Sequence, residues 1–191
     1  MTCRRCSTPS PESSSLHCRK RRAILGTVEE YRLELARPTD AARLAAMSQQ
    51  YVEAGLKPAW GAVRIGWHMR DADSVVLTAR GIRAVVGFAI MRYADESAHL
   101  NLLAVAPEYR RQGIARSLLT WLEATALTAG TFRIGLELRA GNMAARSFYA
   151  AQGYQECGEV PGYYQGVETA IRLTRDVRAS RETPGTREPS P

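Results

Sequence analysis

The sequence predicts an α/β fold in which helices flank a mixed, mostly antiparallel sheet. Segments of alternating polarity exchange with segments of helical period, in the order strand, helix, helix, three strands, helix, strand, helix, two strands. Three consecutive strands joined by short turns indicate an antiparallel meander, and the helix after them indicates a parallel crossover. With 191 residues, 45% of them apolar, the chain suits one domain with a sizeable core.

The first predicted elements are one strand and two helices. The run "YRLELARP" alternates in polarity and ends at Pro38, which predicts a strand. Thr39 or Asp40 is positioned to cap a helix that Gly55 would end. Residues 58–70 have a weaker helical pattern, and we expect a short helix there.

Three strands are predicted next, within "SVVLTARGIRAVVGFAIMRYADESAHLNLLAVAP". Gly81 and the "ADES" segment mark the two turns between them. The third strand is almost wholly apolar over residues 100–106, which predicts a central strand that is buried on both faces.

The helical period returns at Gly113 and ends at Gly130, and its apolar positions share one face: Ile114, Ala115, Leu118, Leu119, Leu122 and Ala126. The next run, "FRIGLEL", predicts a strand whose apolar residues lie on one side and whose other side carries Arg133, Gly135 and Glu137. The helix between two strands is the predicted crossover.

A short helix and two strands complete the domain. Asn142 is expected to cap the helix and Gly153 to close it. Two strands then follow at 155–160 and 169–173, separated by a "PGYYQG" turn. The apolar stripe expected on the short helix consists of Ala144, Phe148 and Ala151.

The net charge of +7 lies mostly outside the predicted domain. Residues 1–25 contain six basic residues and one acidic residue, and both this segment and residues 178–191 are rich in Ser, Thr and Pro. We therefore expect a disordered basic N-terminal tail over 1–25, a domain over 28–176 and a disordered C-terminal tail over 178–191. The nearly neutral domain argues against a specific nucleic-acid partner.

Two further classes are disfavoured. No apolar run approaches the ~20 residues of a membrane span, and the N-terminus lacks the apolar stretch of a signal peptide, so we expect no membrane association and a cytoplasmic location.

A zinc site is conceivable near the N-terminus, with Cys3, Cys6, His17 and Cys18 as ligands. Because the adjacent His17 and Cys18 are poorly spaced for such a site, we predict no metal. Cys157 is expected to be an ordinary thiol.

The stretch "VAPEYRRQGIARSLL" predicts an anion site. It places a helix N-terminus, with unpaired N–H groups and a positive dipole end, directly after a central strand. Gly113 lets an anion approach the backbone, and Arg110, Arg111 and Arg116 add positive charge. The pattern fits a diphosphate but is neither a Walker loop nor a dinucleotide fingerprint. A helix start that merely carries arginines is the alternative.

Two motifs resemble those of GNAT-type acetyltransferases. The run "RRQGIA" is similar to the pyrophosphate turn Arg/Gln-x-x-Gly-x-Gly/Ala of that family, and "LELRAGNMAARSFYAAQGY" is similar to its second conserved block. Both occur in the order and at the spacing of the family, and the resemblance covers most of residues 31–176. The Leu-Glu-x-Arg-x-x-Asn run and the late Tyr-Tyr pair most resemble the RimI-type members, which acetylate the N-terminal amine of a ribosomal protein.

The resemblance implies a sheet whose central parallel strands splay apart around acetyl-CoA, the cosubstrate. It places the diphosphate on the N–H groups of 111–116 and the pantetheine arm along 103–105, with the Leu103 N–H at the thioester oxygen. Ala115 stands where glycine is commoner in the family. The expected cofactor-binding residues are Leu103, Ala104, Val105, Arg110, Arg111, Gln112, Gly113, Ile114, Ala115, Arg116 and Asn142.

The resemblance also assigns the proton-transfer groups. Tyr149, seven residues after Asn142 and so on the same helix face, would donate a proton to the leaving thiolate, with Phe148 turned toward the core. Glu137 matches the RimI-type proton acceptor, although a structural ion pair with Arg133 or Arg139 is an equal alternative.

Other residues are candidates for the acceptor side of the site. His99, four residues before Leu103 and expected on the same strand face, is an alternative base. Tyr163 and Tyr164, in the predicted turn, would form a wall of the site for the acceptor amine.

These assignments predict an N-acetyltransferase that moves the acetyl group of acetyl-CoA directly to a primary amine. An α-amine, with a pKa of about 7.7–8.0, is far more often neutral at pH 7 than a lysine amine, with a pKa of about 10.4, which favours a protein N-terminus. A small amine such as a polyamine or an amino acid is an alternative acceptor. A non-catalytic acyl-CoA-binding module is the alternative from another class, and either a monomer or a homodimer is compatible with the sequence.

Overall fold

The computed structural model describes residues 30–178, which form a seven-stranded sheet in the order β1-β2-β3-β4-β5-β7-β6. Neighbouring strands are antiparallel except for the parallel pair β4 and β5. The predicted fold class and element order are confirmed. The predicted tails and the alternative zinc ligands lie outside the described residues, except that Arg178 still belongs to the described part. The strands are β1 Arg32–Leu35, β2 Ser74–Arg80, β3 Val85–Tyr93, β4 Ser97–Val105, β5 Arg133–Arg139, β6 Gln155–Tyr164 and β7 Glu168–Asp176, and the helices are α1 Ala41–Tyr51, α2 Ala62–His68, α3 Ile114–Thr128 and α4 Met143–Ala151.

Each face of the sheet has its own apolar core. On one face, α3 buries Ile114, Leu118 and Leu122 against β3, β4 and β5, and Tyr149 of α4 joins this cluster. On the other face, α1 and α2 pack against residues of β2, β3 and β4. The apolar face predicted for α3 is therefore confirmed, and the sheet lies between two helical layers.

A bulge in β4 reverses the alternation of its side chains. Ile90 lies opposite Leu102 and Met91 lies opposite Leu100, so Asn101 has no partner on β3. His99 consequently shares the α1/α2 face with Leu102, whereas Leu103 lies on the α3 face. The prediction that His99 and Leu103 share a face is wrong, because one extra residue inverts every side chain beyond it.

The fourth strand is central, as predicted, but it is not buried on both faces throughout. Asn101 and Leu103 are half-buried, whereas Leu102 and Ala104 between and beside them are buried. The half-buried positions occur where β4 leaves β5. Within residues 30–178, β4 pairs with β5 only from Ser97 to His99, opposite 133–135. Beyond that point the two strands diverge, and the predicted splay is present.

The last hairpin differs from its predicted form. The "PGYYQG" segment was expected to be a turn, but β6 continues through it to Tyr164, and the turn lies at 165–167. The register shifts between Val160 and Tyr164, and Gly162 has a φ of 68°. Such a bulge accommodates Pro161, which has no N–H for the ladder, without ending the strand. Tyr163 and Tyr164 therefore lie on a strand end.

The helix α4 exposes the side that was predicted to be its apolar stripe. Ala144 and Ala151 are exposed and Phe148 is half-buried, whereas Tyr149 is buried with 7% of its surface exposed. The expectation that Phe148, and not Tyr149, turns into the core is wrong. The stripe faces a cleft and not the protein interior. The period of the apolar residues is the same in both cases, so the sequence pattern alone does not distinguish them.

Candidate active site

The turn before α3 has the backbone form that an anion site requires. Gly113 is the N-cap of α3 with a φ of 83°, a conformation that costs any residue with a Cβ about 1–2 kcal/mol. Its Cβ position is open, with no atom within 4 Å. The first N–H groups of α3 have no partner within the helix, so they are available to an oxyanion.

The arginines around this turn are held by local contacts. The guanidinium of Arg110 donates to the Val105 carbonyl at 3.1 Å, and that of Arg116 donates to the Gln152 side chain at 3.1 Å. Arg111 has a φ of 63°, which places the turn itself in an uncommon conformation. The Gln112 side chain turns back and donates to the Glu108 carbonyl at 3.2 Å. Of the predicted cofactor-binding residues, Gln112 alone does not line the cleft between this turn and α4.

A cleft of about 1020 Å³ runs from this turn along β4 to α4. Sequence reasoning missed part of its wall, because Tyr51 comes from α1 and the exposed side of α4 resembled a core stripe. Tyr51 carries Arg110 above its ring, at 5.9 Å from the centroid. The predicted residues that line the cleft are Leu103, Ala104, Val105, Arg110, Arg111, Gly113, Ile114, Ala115, Arg116, Asn142 and Tyr149.

Backbone amides of β4 point into the opening between β4 and β5. The Ala106 N–H donates to the Val86 carbonyl at 2.9 Å, which makes Val86 and Ala106 a hydrogen-bonded pair. Gly87 with Val105 is one pair further along the ladder, and Ala89 with Leu103 is three pairs further. In an antiparallel ladder the hydrogen-bonded pairs alternate with pairs whose amides point outward. The amides of Leu103 and Val105 therefore turn away from β3, toward the side where β5 has diverged.

Tyr149 places a phenol on the wall of the cleft. Its helix begins at Asn142, whose side chain caps α4 by accepting the Ala145 N–H at 3.1 Å. The Tyr149 ring makes edge contacts with Phe148 and Tyr154, and its hydroxyl has no hydrogen-bond partner among the described residues. Burial raises the pKa of Tyr149, so the phenol keeps its proton at neutral pH.

The two candidate bases are bonded to each other. His99 Nε2 and Glu137 Oε2 are 2.6 Å apart, across the point where β4 and β5 separate. The guanidinium of Arg172, opposite Glu137 on β7, donates to Glu137 Oε1 at 3.0 Å, and the Tyr163 hydroxyl lies 3.4 Å from Oε2. The ion pair of Glu137 is therefore with Arg172. The alternative prediction, an ion pair with Arg133 or Arg139, named the wrong arginines. Arg172 gave no signal in the sequence, since its role depends on the register of β7.

Charges in this cluster shift the pKa values in opposite directions. The hydrogen bond to Glu137 raises the pKa of His99 above its ordinary value, against the effect of burial. The hydrogen bonds from His99 and Arg172 lower the pKa of Glu137. Burial raises the pKa of Tyr164 to about 12, and burial and the Glu137 charge raise the pKa of Tyr163.

The loop between α1 and α2 is joined to the hairpin of β6 and β7, the hairpin that carries Tyr163. The buried Glu53 carboxylate accepts the Ala59 N–H at 2.6 Å and the Ser48 hydroxyl at 3.1 Å, which fixes the loop between α1 and α2. The Gln165 side chain then bridges to this loop, accepting the Lys57 N–H at 3.0 Å and donating to the Lys57 carbonyl at 2.7 Å. Trp60, in the loop before α2, stacks on His68 with ring centroids 5.2 Å apart.

No cluster of three or more His, Cys, Asp or Glu side chains suited to a metal ion occurs within residues 30–178. None of the helices in the same range is long and apolar enough to cross a bilayer. The groups found at the site are a phenol, a His–Glu pair, backbone amides and a helix N-terminus.

The sequence profile of the acetyltransferase (GNAT) family matches residues 41–154, more than half of the chain. The chain therefore belongs to the GNAT acetyltransferase family. This match covers the turn before α3, the diverging strands and Tyr149, so the fold and the two motifs agree.

The relatives of this chain include protein acetyltransferases. It is 37% identical over 96 residues to the [ribosomal protein bS18]-alanine N-acetyltransferase of Salmonella typhimurium, an alignment covering 49% of this chain and 65% of that protein. It is 38% identical over 80 residues to the N-terminal acetyltransferase B complex catalytic subunit naa20 of Schizosaccharomyces pombe, covering 42% and 44% respectively. The chain thus spans about half to two thirds of these relatives.

A solved structure agrees with the sequence matches. The crystal structure of the ribosomal-protein-S18-alanine N-acetyltransferase from Escherichia coli superposes with a TM-score of 0.66 at 25% identity, covering 82% of this chain and 98% of that one. The resemblance to RimI-type members is confirmed by these similarities.

Proposed function

We propose that this protein is an acetyl-CoA-dependent N-acetyltransferase whose acceptor is the N-terminal α-amine of a protein. One observation carries the proposal: a cleft that begins at the N-terminus of α3 passes an opening in the sheet, with a phenol on one side of the opening and a His–Glu pair on the other. A thioester donor and an amine would meet in that opening from opposite faces.

The donor half of the proposal assigns acetyl-CoA to the cleft. Its diphosphate would lie at the N-terminus of α3, near the amides of 111–116, with Arg110, Arg111 and Arg116 adding charge. The pantetheine arm would extend along 103–105 between the diverging strands. The outward amide of Leu103 would then donate to the thioester oxygen as negative charge develops on it. Asn142, which caps α4 beside the cleft, would also contact the arm.

The chemical step needs two proton transfers. The amine nitrogen attacks the thioester carbon, and the resulting tetrahedral adduct breaks its C–S bond. Tyr149, kept as a phenol by burial, gives its proton to the departing sulfur and is reprotonated by solvent. Glu137, on the opposite face of the sheet, accepts the proton that the nitrogen loses. The net reaction of an ammonium acceptor releases one proton to solvent.

The acceptor half of the proposal favours a chain terminus. Glu137 is only about 10% exposed at its side chain and is paired with a guanidinium, which makes it a weak base. A weak base suits an α-amine, which needs little help to become neutral, better than a lysine amine. The names of the relatives, which act on protein N-termini, support the same class. Tyr163 and Tyr164 would flank the entering chain.

A panel of acceptors tests this proposal. The purified chain is mixed with acetyl-CoA and with peptides beginning Ala or Ser, the same peptides with blocked N-termini but one internal lysine, spermidine, and free amino acids, and release of free thiol is followed. We expect thiol release with the free N-termini alone. Release with spermidine or amino acids would instead favour a small-amine enzyme, and binding of acetyl-CoA without release in any mixture would favour the non-catalytic binding module.

A further inference from the structure

We propose that His99 and Glu137 act as one proton acceptor, in which Glu137 meets the amine and His99 Nε2 holds the proton before releasing it to solvent. The proposal rests on the acetyl-transfer function above. Glu137 touches the reacting nitrogen, whereas His99 acts through Glu137 and is a positioning and relay residue.

The geometry separates the two tasks. The Glu137 side chain is 10% exposed, and the His99 side chain, 2.6 Å away, is 44% exposed. His99 is the last residue of β4 that pairs with β5, so it lies at the base of the opening, and Glu137 lies two residues into it. A proton taken up at Glu137 would have a short path to a residue with access to water.

Asn101 contacts the second ring nitrogen of His99. Its Oδ1 lies 3.2 Å from His99 Nδ1, and this contact also raises the pKa of His99, because the imidazolium donates from Nδ1 to Asn101 and from Nε2 to Glu137. A proton held by the imidazole therefore has an acceptor at each nitrogen. Asn101 is the extra residue of the bulge in β4, which places it within reach of the imidazole. The bulge therefore has a chemical consequence as well as a topological one.

The other side of His99 opens to water. It lines a second cleft, of about 750 Å³, at the turn between β3 and β4, away from the donor cleft. Asp73 and Asp95 also line this second cleft, together with Arg92 and Thr131. A proton leaving His99 would therefore enter solvent near two carboxylates and away from the reacting amine.

Charged and titratable groups around His99 and Glu137 come from four strands. Glu137 of β5 favours the imidazolium, whereas Arg172 of β7 and burial oppose it. Arg92 of β3 lies opposite His99 and pairs with Asp71 at 3.7 Å. Tyr163 of β6 contacts the same Glu137 oxygen as His99. The balance raises the pKa of His99 and lowers that of Glu137, so an added proton rests on the imidazole.

The proton moves in three transfers, from the amine to Glu137, from Glu137 to His99 and from His99 to water. The nitrogen of the acceptor loses a proton to Glu137 Oε2, and the O–H bond formed there breaks as the proton moves to His99 Nε2, restoring the carboxylate. The imidazolium then releases a proton to water in the second cleft. Because His99 must begin neutral, activity is expected to rise with pH through the raised pKa of His99, above the ordinary value of about 6.5.

Two variants separate proton transfer from hydrogen bonding. In His99→Gln the amide can still donate to Glu137 but cannot hold a proton, and we expect kcat toward a peptide acceptor to fall about 100-fold while acetyl-CoA affinity is unchanged. In His99→Ala we expect added imidazole to restore part of kcat. The restored fraction should grow as the pH is raised, because more of the added imidazole is then neutral. Arg83→Gln, which removes a charge from the exposed turn between β2 and β3 and lines neither cleft, is the control and should keep the wild-type rate.

A titration gives a readout that needs no activity. The pKa of His99 is followed by imidazole NMR in wild-type protein and in Glu137→Gln, and we expect it to drop to about 6.5 or lower in the variant. An unchanged titration, or a wild-type kcat in His99→Gln, overturns the proposal. If the wild-type protein acetylates no acceptor at all, the proposed function fails, and the titration still decides whether the two residues share a proton.

Discussion

At the residue scale, the candidate site contains two groups that the sequence identified and contacts that it did not. Tyr149 and Glu137 followed from the motifs, and both lie at the opening between β4 and β5. The bond between Glu137 and His99 did not follow, because the expected strand alternation placed His99 on the other face. A single bulge residue, Asn101, makes the difference.

Removing the phenol hydroxyl tests the role of Tyr149. In Tyr149→Phe we expect kcat to fall about 10²-fold or more, because the departing sulfur loses its proton donor, while the Kd of acetyl-CoA is unchanged. Thiol release and calorimetry measure the two quantities. The hydroxyl has no partner among the described residues, so the fold should tolerate its loss.

The matched control is Tyr93→Phe. Its hydroxyl contacts the Leu122 carbonyl at 3.4 Å on the α3 face, away from the donor cleft, and its loss should leave kcat unaltered. Equal rates in Tyr149→Phe and wild-type protein would mean that solvent, or another group, protonates the thiolate.

At the scale of the element, helix and strand positions were largely predictable and their exposed faces were not. Glycines at Gly113, Gly130 and Gly153 have positive φ values and mark helix ends that the sequence located correctly. The exposed face of α4 was misassigned, since a row of apolar residues facing an empty cleft has the same period as one facing a core. The β6 bulge was also missed, because Pro161 and Gly162 are typical of turns.

The two ends of α3 allow a controlled test of the anion site. Gly113 precedes the helix with a φ of 83° and Gly130 follows it with a φ of 81°, and a Cβ at either position would meet no atom within 4 Å. Changing either glycine to alanine should therefore cost the same strain, about 1–2 kcal/mol of unfolding free energy. The Gly113→Ala methyl alone would project where the diphosphate approaches.

We expect acetyl-CoA affinity to fall at least tenfold in Gly113→Ala and to be unchanged in Gly130→Ala, measured by calorimetry beside thermal unfolding of both proteins. An equal loss of affinity in the two variants would assign the effect to strain in α3. Unchanged affinity in both would remove the turn from the donor site.

At the scale of the whole molecule, the two sides of the sheet divide the work. The α3/α4 side has the cleft proposed for the donor, the α1/α2 side holds the His–Glu pair, and the diverging strands lie between them. This division was predictable only as an implication of family resemblance, because it depends on where parallel pairing stops. Hydrophobic patterns locate a strand but do not show the residue at which its neighbour leaves it.

One contact joins two distant parts of the chain beside the proposed acceptor side. Gln165, in the β6–β7 turn, bridges both backbone groups of Lys57, 108 residues earlier. Gln165 has a φ of 58°, a conformation that asparagine adopts readily, so Gln165→Asn preserves the turn but shortens the side chain by one methylene. The shorter amide cannot span both groups, and the hairpin is released from the loop that Glu53 holds.

If this bridge orders the acceptor site, Gln165→Asn should raise KM for a peptide acceptor several-fold while kcat and the Kd of acetyl-CoA change little, because the donor cleft lies on the opposite face. Val167→Ala is the control, since Val167 lies in the same turn and is 86% exposed. A rise in KM for both variants would indicate a general effect of the turn. A fall in kcat with constant KM would place the bridge in the chemical step, since it would then be needed to align the amine with Glu137.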